Sequence, residues 1–138
     1  MTTTEQPIDP AKLERQKQRD EEDRKHYQIA YDFIKSNALK GKKFEEAAEL
    51  IHVSKFHFHR NFRRLFGITP KQFAASVQIE AAKEMLLNGI PAAQVAKDCG
   101  FAHQSHLTAR FRQFVKQSPM RWLRSEKMRR EAAAKQVH

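Results

Sequence analysis

The sequence predicts an all-α protein in which two helix-turn-helix subdomains are joined by a long connecting helix. Its 138 residues include only four glycines, and no segment alternates apolar and polar residues as a strand would. Apolar residues instead recur at helical spacing from Phe58 to Phe66 and again from Leu107 to Val115. The second stripe repeats the first 49 residues later. A short helix, a tight turn and a longer helix, used twice, explain this repeat.

The two ends of the chain are polar. Residues 1–25 form a charged extension with Leu13 as almost its only sizeable apolar residue, and such a segment buries too little surface to offset its ordering entropy. We therefore expect it to be disordered or frayed, with a solvated extension of the following helix as the alternative. Residues 124–138 form a basic, helix-prone tail that we expect to be partly ordered.

Breakers and capping residues divide the rest into helices. A helix containing Tyr27 ends before Gly41, a short helix covers residues 44–51, and Ser54 caps the helix that Gly67 ends. Later boundaries are Thr69-Pro70 before a helix over 71–88, Asn88-Gly89 after it, Pro91 before a short helix, the turn at Gly100-Phe101, and Ser118-Pro119 before a last helix with Trp122. The domains predicted are a first subdomain at 26–70, a connecting helix at 71–88 and a second subdomain at 89–123.

The charge of the chain indicates a polyanionic partner. The net charge is +10, which favours nucleic acid first and an anionic membrane surface second. The segments 55–66 and 103–116 contain basic residues and no acidic ones. A solvated basic face explains either segment alone, but their repeated positions favour two helices that lie in the major groove of DNA.

Several other classes of protein are disfavoured. A single cysteine, Cys99, excludes a disulfide framework and a thiolate zinc site, and we read it as a core residue. The histidine pairs His57/His59 and His103/His106 lack the partners of a closed metal site, so we expect no metal and no cofactor. We find no phosphate-binding loop or catalytic constellation, and no secretory or membrane-spanning segment. We therefore expect no enzyme activity and a cytoplasmic location, on the bacterial nucleoid.

Two motifs resemble the DNA-binding region of the AraC/XylS family of bacterial transcription regulators. The residues that carry the first are Val53-Ser54, Phe58, Phe62, Gly67, Thr69-Pro70 and Phe73; those of the second are Val95-Ala96, the run from Gly100 to Leu107, Phe111, Pro119 and Trp122. The resemblance covers about residues 26–123 and implies seven helices, with two recognition helices entering successive major grooves. The chain departs from the family pattern at five positions: His52, His103, Ala109, Lys116 and Leu123.

The outward positions of the two recognition helices are the candidate contacts to DNA. Base-reading candidates are Phe56, His59 and Arg60 in the first helix, and Gln104, Ser105 and Thr108 in the second. Phosphate candidates are Lys55, Arg63, Arg64, Arg110, Arg112 and Lys116. A partly exposed core aromatic is the alternative for Phe56, and a solvent-exposed charge is the alternative for each lysine or arginine.

The expected function is a sequence-specific transcriptional regulator that binds double-stranded DNA as a monomer, with RNA polymerase as a further candidate partner and no membrane. The alternatives are a nonspecific architectural DNA-binding protein and a membrane or protein-interaction module that uses the basic tail. Residues 1–25 are too few for a sensor domain, so the chain resembles the small stand-alone members of the family. It equally fits the DNA-binding part of a longer, ligand-responsive regulator.

Overall fold

Seven α-helices account for nearly all of the part of the chain that the computed structural model describes, which is Pro7, residues 9–41 and residues 44–136. They are α1 (Pro10–Asn37), α2 (Glu45–Leu50), α3 (Lys55–Phe66), α4 (Pro70–Leu87), α5 (Ala92–Asp98), α6 (Gln104–Val115) and α7 (Pro119–Gln136), with a short 3-10 helix at Ala38–Lys40. No strand occurs within these residues, and the all-α prediction is confirmed.

Local sequence explains where the helices begin. The Ser54 side chain accepts a hydrogen bond from the His57 backbone N–H at 3.2 Å and caps α3. Thr69 and Gln72 form a reciprocal capping box at the start of α4, with Pro70 in the first helical position. Ser118 similarly accepts a bond from the Arg121 N–H ahead of α7. His103 precedes α6 without a side-chain capping bond, so this departure from the family pattern leaves α6 less well capped than α3.

Two hydrophobic cores lie along the chain, and α4 belongs to both. Phe73, in the first turn of α4, packs into the first core with Tyr27, Phe58 and Phe62. Further along the same helix, Ile79, Ala82 and Leu86 belong to the second core, together with residues of α5, of α6 and of the turn between them. These are Val95, Ala96, Cys99, Phe101, Leu107 and Phe111. The connecting helix is therefore a structural part of both units.

The internal repeat extends one helix further upstream than the sequence pattern indicated. The buried residues Tyr27, Ala30 and Ile34 of α1 have the same spacing as Ile79, Ala82 and Leu86 of α4. A side chain next to each stripe bonds the turn of its own unit: His26 Nε2 donates to the Ile51 carbonyl at 2.9 Å, and Gln78 Nε2 donates to the Cys99 carbonyl at 2.9 Å. Each unit thus consists of a supporting helix and a helix-turn-helix, with a following helix that closes it.

The closing helices make parallel contacts in the two units. Phe73 stacks on Tyr31 with ring centroids 4.3 Å apart, and Trp122 lies under the Lys83 ammonium at 5.8 Å. Phe62 approaches Phe73 at 5.9 Å, and Phe111 approaches Trp122 at 5.6 Å. An aromatic pair in the first unit is therefore replaced by a cation–π pair in the second.

The N-terminal extension corrects one expectation. Residues 10–25 are helical and continue into the rest of α1, although none of their side chains is buried; residues 1–6 and 8 lie outside the described residues. The Asp9 side chain caps the helix, and Asp20 and Asp23 bind Arg64 of α3. Polar contacts rather than apolar burial hold this segment, and a search for apolar periodicity does not detect such contacts.

The C-terminal tail is helical as far as Gln136. Glu126 accepts hydrogen bonds from Arg129 and Arg130, which lower the pKa of this carboxyl group to about 2. The tail therefore extends α7, and its basic residues remain on the surface of that helix.

Burial in the second core explains the character of Cys99. Its side chain is fully buried, and this burial raises the pKa of the thiol to about 11. The interpretation of Cys99 as a core residue is confirmed.

Two turns differ in whether they require glycine. Gly100 has φ +82°, and a Cβ there would lie 2.9 Å from the Leu39 carbonyl oxygen, so no larger residue fits. Its counterpart in the first unit, His52, also has positive φ (58°) but is exposed. The first turn therefore accepts histidine at the cost of local strain, whereas the second turn packs directly on the backbone of the 3-10 helix.

The end of α6 carries similar strain. Lys116 has φ 68° and occupies the position that Gly67 occupies at the end of α3. We predict that Lys116→Gly raises the free energy of unfolding by about 1 kcal/mol, because glycine adopts this conformation without the Cβ clash. Urea denaturation of both proteins measures the difference. Lys116→Ala is the matched control, since it removes the same charge and keeps the strain; an equal gain in that variant would contradict the explanation.

Candidate nucleic-acid interface

Helix α3 has one buried side and one exposed, basic side. Phe58, Phe62 and Leu65 lie in the first core. On the opposite side, Phe56 is 87% exposed, and Arg60 and Arg63 are exposed beside it. Phe56 is therefore a surface residue and not part of the core. An aromatic ring held in water on a basic helix is available to contact a partner.

A groove runs along this side of α3 and is called the aromatic groove below. It has a volume of about 570 Å³. It is lined by Phe44, Glu45, Ala48, Lys55, Phe56, Phe58, His59, Arg60, Arg63 and Pro70. The structure thus brings together all three base-reading candidates of the first helix and two of its phosphate candidates.

The cations of the aromatic groove are free to bind a partner. Within the described residues, the side chains of Lys55, Arg60 and Arg63 have no hydrogen-bond or ion-pair partner. Glu45, the one acidic residue that lines the groove, makes no ion pair with them. Unpaired cations on one surface attract a polyanion without first breaking internal contacts.

Helix α6 presents a weaker version of the same face. Leu107 and Phe111 are buried, whereas Gln104, Ser105 and Arg112 are exposed. Thr108 is half-buried, and its hydroxyl donates to the Gln104 carbonyl at 3.1 Å. Arg110 is also half-buried and donates to Gln113 Oε1 at 3.0 Å, while Lys116 is exposed just after the helix. Ala109 stands where α3 has Arg60, so α6 offers fewer polar groups to a partner.

A second groove lies between the two units. It has a volume of about 370 Å³ and is lined by Ala38, Gly41, Phe44, Glu45, Lys71, Ala74, Ala75, Gln78, Gly100, His106 and Arg110. Phe44 and Glu45 line both this groove and the aromatic groove. The two grooves therefore meet at the start of α2, and α6 borders the second groove through His106 and Arg110.

Lys71 is a basic residue of this surface that the sequence analysis did not select. It is exposed near the start of α4 and lines the second groove together with Arg110. A signal was available, because no acidic residue occurs between Glu49 and Glu80, so the acid-free stretch continues from α3 into α4.

Arg64 differs from the other phosphate candidates. Its Nη1 donates to Asp20 Oδ1 at 2.7 Å and its Nη2 to Asp23 Oδ2 at 3.1 Å. The bond to Asp20 raises the pKa of Arg64, and the same bond lowers the pKa of Asp20. Arg64 therefore joins α3 to α1, and we remove it from the phosphate candidates because its guanidinium is already paired with two carboxylates.

Tyr27 contacts the same flank of α3. The Asn61 side chain donates to the Tyr27 hydroxyl at 3.2 Å, and that hydroxyl lies 3.4 Å from the His57 carbonyl. Together with Arg64, these contacts hold α3 against α1 on the flank away from the aromatic groove.

Two kinds of feature are absent from the part of the chain that the structure describes. Among the residues that the structure describes, no group of three histidine, cysteine, aspartate or glutamate side chains could hold a metal ion. Nor does any described helix combine the length and the apolar character needed to cross a membrane.

A model of the helix-turn-helix domain matches residues 47–125, more than half of the chain. The chain belongs to the AraC/XylS family of helix-turn-helix regulators. This match covers the two helix-turn-helix motifs and the connecting helix, and the resemblance noted in the sequence is confirmed.

Curated relatives of this AraC-type chain include two Bacillus subtilis proteins. The uncharacterized HTH-type transcriptional regulator YbfI is 30% identical over 76 residues, which are 55% of this chain and 28% of YbfI. The bifunctional transcriptional activator/DNA repair enzyme AdaA is 29% identical over 98 residues, which are 70% of this chain and 46% of AdaA. The matched region thus spans less than half the length of either relative.

Two solved structures have a similar fold. One is the C-terminal domain of AraT, a response regulator from Geobacillus stearothermophilus, with a TM-score of 0.67, 22% identity, and coverage of 72% of this chain and 84% of that domain. The other is a probable AraC family transcriptional regulator from Rhodopseudomonas palustris, with a TM-score of 0.63, 22% identity, and coverage of 73% and 96%. They support the all-α AraC-type fold.

We predict that the first half of α1 depends on Arg64. The double change Asp20→Asn and Asp23→Asn should speed amide hydrogen exchange in residues 10–23 at least about fivefold, because no buried side chain holds that segment. Residues 27–34 should keep their protection, since Tyr27, Ala30 and Ile34 are buried. Asp32→Asn is the control, because the one bond of Asp32 among the described residues is to Gln28 of the same helix.

The same contact should respond to acid. Arg64 lowers the pKa of Asp20. The stabilisation from the Arg64–Asp20 ion pair is therefore fully present above the ordinary aspartate pKa of about 3.9, and it is lost as the pH falls through the lower pKa that Asp20 has in the folded protein. Unchanged protection of residues 10–23 in the double variant would show that Arg64 does not hold the helix.

Proposed function

We propose that this protein is a transcriptional regulator that binds double-stranded DNA sequence-specifically, with α3 and α6 in successive major grooves. One observation carries the proposal: the groove beside the acid-free helix α3 meets, at Phe44 and Glu45, a second groove that His106 and Arg110 of the acid-free helix α6 border. A duplex presents two major grooves on one side about 34 Å apart. Helix α4, about 27 Å long by its 18 residues, joins the two units.

The residues nearest the N-termini of the recognition helices are proposed to read bases. They are Phe56, His59 and Arg60 on α3, and Gln104, Ser105 and Thr108 on α6. Arg60 suits a bidentate contact to guanine, Gln104 suits adenine, and Phe56 suits the methyl group of thymine. The exposure of Phe56 supports its role, because such a contact would cover an apolar ring that is otherwise in water.

Basic residues around these positions are proposed to contact phosphates. They are Lys55, Arg63, Arg110, Arg112 and Lys116, with Lys71 added from the second groove. Lys71 and Arg110 line the groove between the two units, where the backbone of the duplex would cross from one major groove to the next. Contacts of this kind set the position of the protein on DNA and carry no sequence information.

The two helices are proposed to contribute unequally to specificity. Arg60 on α3 corresponds to Ala109 on α6, and Phe56 corresponds to Ser105. Helix α6 is also less well capped, and Thr108 already donates to a backbone carbonyl. We expect α3 to determine most of the base preference and α6 to add a smaller part.

The family and the names of the relatives support regulation of transcription without enzyme activity, although AdaA is described as bifunctional. Contact with RNA polymerase, binding as a monomer, a location on the bacterial nucleoid, and the domain limits given above stay predictions. Because the match covers less than half of YbfI and AdaA, a role as the DNA-binding part of a larger ligand-responsive regulator is the alternative.

Selection of binding sites from random duplexes tests sequence specificity. We expect enrichment of a site with two conserved blocks about one helical turn apart, the block bound by α3 being the stronger. Equal recovery of all sequences would instead support the alternative of a nonspecific architectural DNA-binding protein. Binding that shows no dependence on salt would contradict DNA binding through the basic face altogether.

Two arginines of α3 should respond differently to substitution. Arg60→Ala should reduce discrimination at one base pair by about 1–3 kcal/mol and leave affinity for random DNA nearly unchanged. Arg63→Ala should weaken all sequences alike and reduce the salt dependence of log K by about 0.9. Titrations of the selected site and of a scrambled site at several salt concentrations measure both quantities. Equal, uniform weakening in the two variants would show that their roles are assigned wrongly.

A further inference from the structure

We propose that the aromatic groove is also a binding site for a small, planar aromatic carboxylate, and that this ligand excludes DNA from α3. Nothing in the DNA-binding proposal requires a cavity of this kind beside the recognition helix. Its volume of about 570 Å³ falls within the range of about 300–1,000 Å³ that is usual for small-molecule sites.

The apolar part of the groove selects a flat ring system. Its accessible rings are the half-buried Phe44 and Phe56, which stands at the edge with 87% of its surface exposed, whereas Phe58 and Pro70 lie behind them and are almost fully buried. Phenylalanine rings pack well against another aromatic ring in offset or edge-to-face arrangements. A rigid ligand also loses little conformational freedom on binding, which favours it over a flexible chain in an open groove.

The charged part of the groove selects an anion. Lys55, Arg60 and Arg63 line it and have no partner within the described residues, whereas Glu45 is the single acidic residue among the lining side chains. An arginine fork pairs with a carboxylate through two parallel hydrogen bonds. An aromatic body with one carboxylate therefore complements both halves of the site.

The groove at the equivalent place in the second unit, about 360 Å³ and lined by Ala93, Ala96 and Gln104 among others, lacks these side chains. Ala92 stands where the first unit has Phe44, Ser105 where it has Phe56, and Ala109 where it has Arg60. Both the ring contacts and the central cation are absent at those positions. The repeat thus supplies an internal comparison, in which the same fold lacks the side chains that the ligand needs.

Exclusion of DNA follows if the proposed function is correct, because Phe56, His59 and Arg60 are also the proposed base-reading residues of α3. Binding of the ligand itself does not depend on that function. The two parts of the inference can therefore be tested separately.

A titration with 2-naphthoate tests the site. Binding is monitored through the backbone amide chemical shifts of the full chain in the absence of DNA. We expect shifts around residues 44–48 and 55–63 and none around 104–112. The neutral analogue 2-naphthalenemethanol should bind at least about fivefold more weakly, because it cannot pair with the cations. Equal binding of the two compounds, or equal shifts in both units, would overturn the proposal.

Two variants locate the ligand. Phe44→Ala, which copies the residue of the second unit, should weaken 2-naphthoate binding about fivefold through the loss of ring contact. Glu45→Gln should strengthen it about twofold by removing a like charge, and this change leaves the core untouched. Leu50→Ala, at a half-exposed residue of α2 that does not line the groove, should leave binding unchanged. If the Glu45→Gln variant binds 2-naphthoate no more tightly than the natural chain does, the position assigned to the carboxylate of the ligand is wrong.

Competition tests the second part of the inference. At a 2-naphthoate concentration ten times its dissociation constant, the apparent dissociation constant for the selected DNA site should rise about tenfold. The neutral analogue at the same concentration should have little effect. Ligand binding without displacement of DNA would overturn the exclusion, whereas failure of every variant to bind DNA, with ligand binding intact, would count against the proposed function alone.

Discussion

The insertion of α4 into two hydrophobic cores is the constraint on which the rest of the structure depends. Phe73 holds its first turn in the first core, and Ile79, Ala82 and Leu86 hold its remaining length in the second. A helix whose two ends are both packed cannot rotate about its axis without disrupting one core. The angle and spacing between α3 and α6 are therefore set by side-chain packing along a single rigid element.

The two units use the same plan with different chemistry. In each, a supporting helix places three buried residues behind the helix-turn-helix and donates one side-chain hydrogen bond to the carbonyl at the turn, from His26 in the first unit and Gln78 in the second. The first unit is closed by stacked aromatic rings, and the second by Trp122 under Lys83. The shared plan preserves the geometry, and the differences leave the exposed surface of each unit free to vary.

That freedom is visible on the proposed DNA-binding side. Helix α3 combines an exposed phenylalanine with unpaired arginines and a groove, whereas α6 presents smaller polar side chains around Ala109. The opposite flank of α3 is held against α1 by Arg64 and Asn61 and by the α1 residues that bind them. Contacts on one side of α3 thus fix the helix, and the other side keeps its charges available to a partner.

The sequence by itself determined the limits of α3 to α6, the start of α7 and the two matching helix-turn-helix motifs, because caps, breakers and apolar spacing are local signals that tertiary contacts did not override. Ser54, Gly67 and Pro70 stand at helix boundaries for reasons that can be read from neighbouring residues alone. The same local information identified the basic, acid-free helices and the family, and it located Phe56 and Arg60 on an outward face.

Only the tertiary structure decided which of those charges are free. Arg63 and Arg64 are adjacent in the sequence and have the same neighbouring residues, but only the guanidinium of Arg64 donates hydrogen bonds to two aspartates, which lie 41 and 44 residues earlier in the described chain. In the structure residues 10–25 also form a helix beside that contact, and Phe44 and Lys71 line the grooves beside the recognition helices. Pairings of this kind depend on how separate helices pack against each other, and a pattern along one segment contains no information about distances between segments.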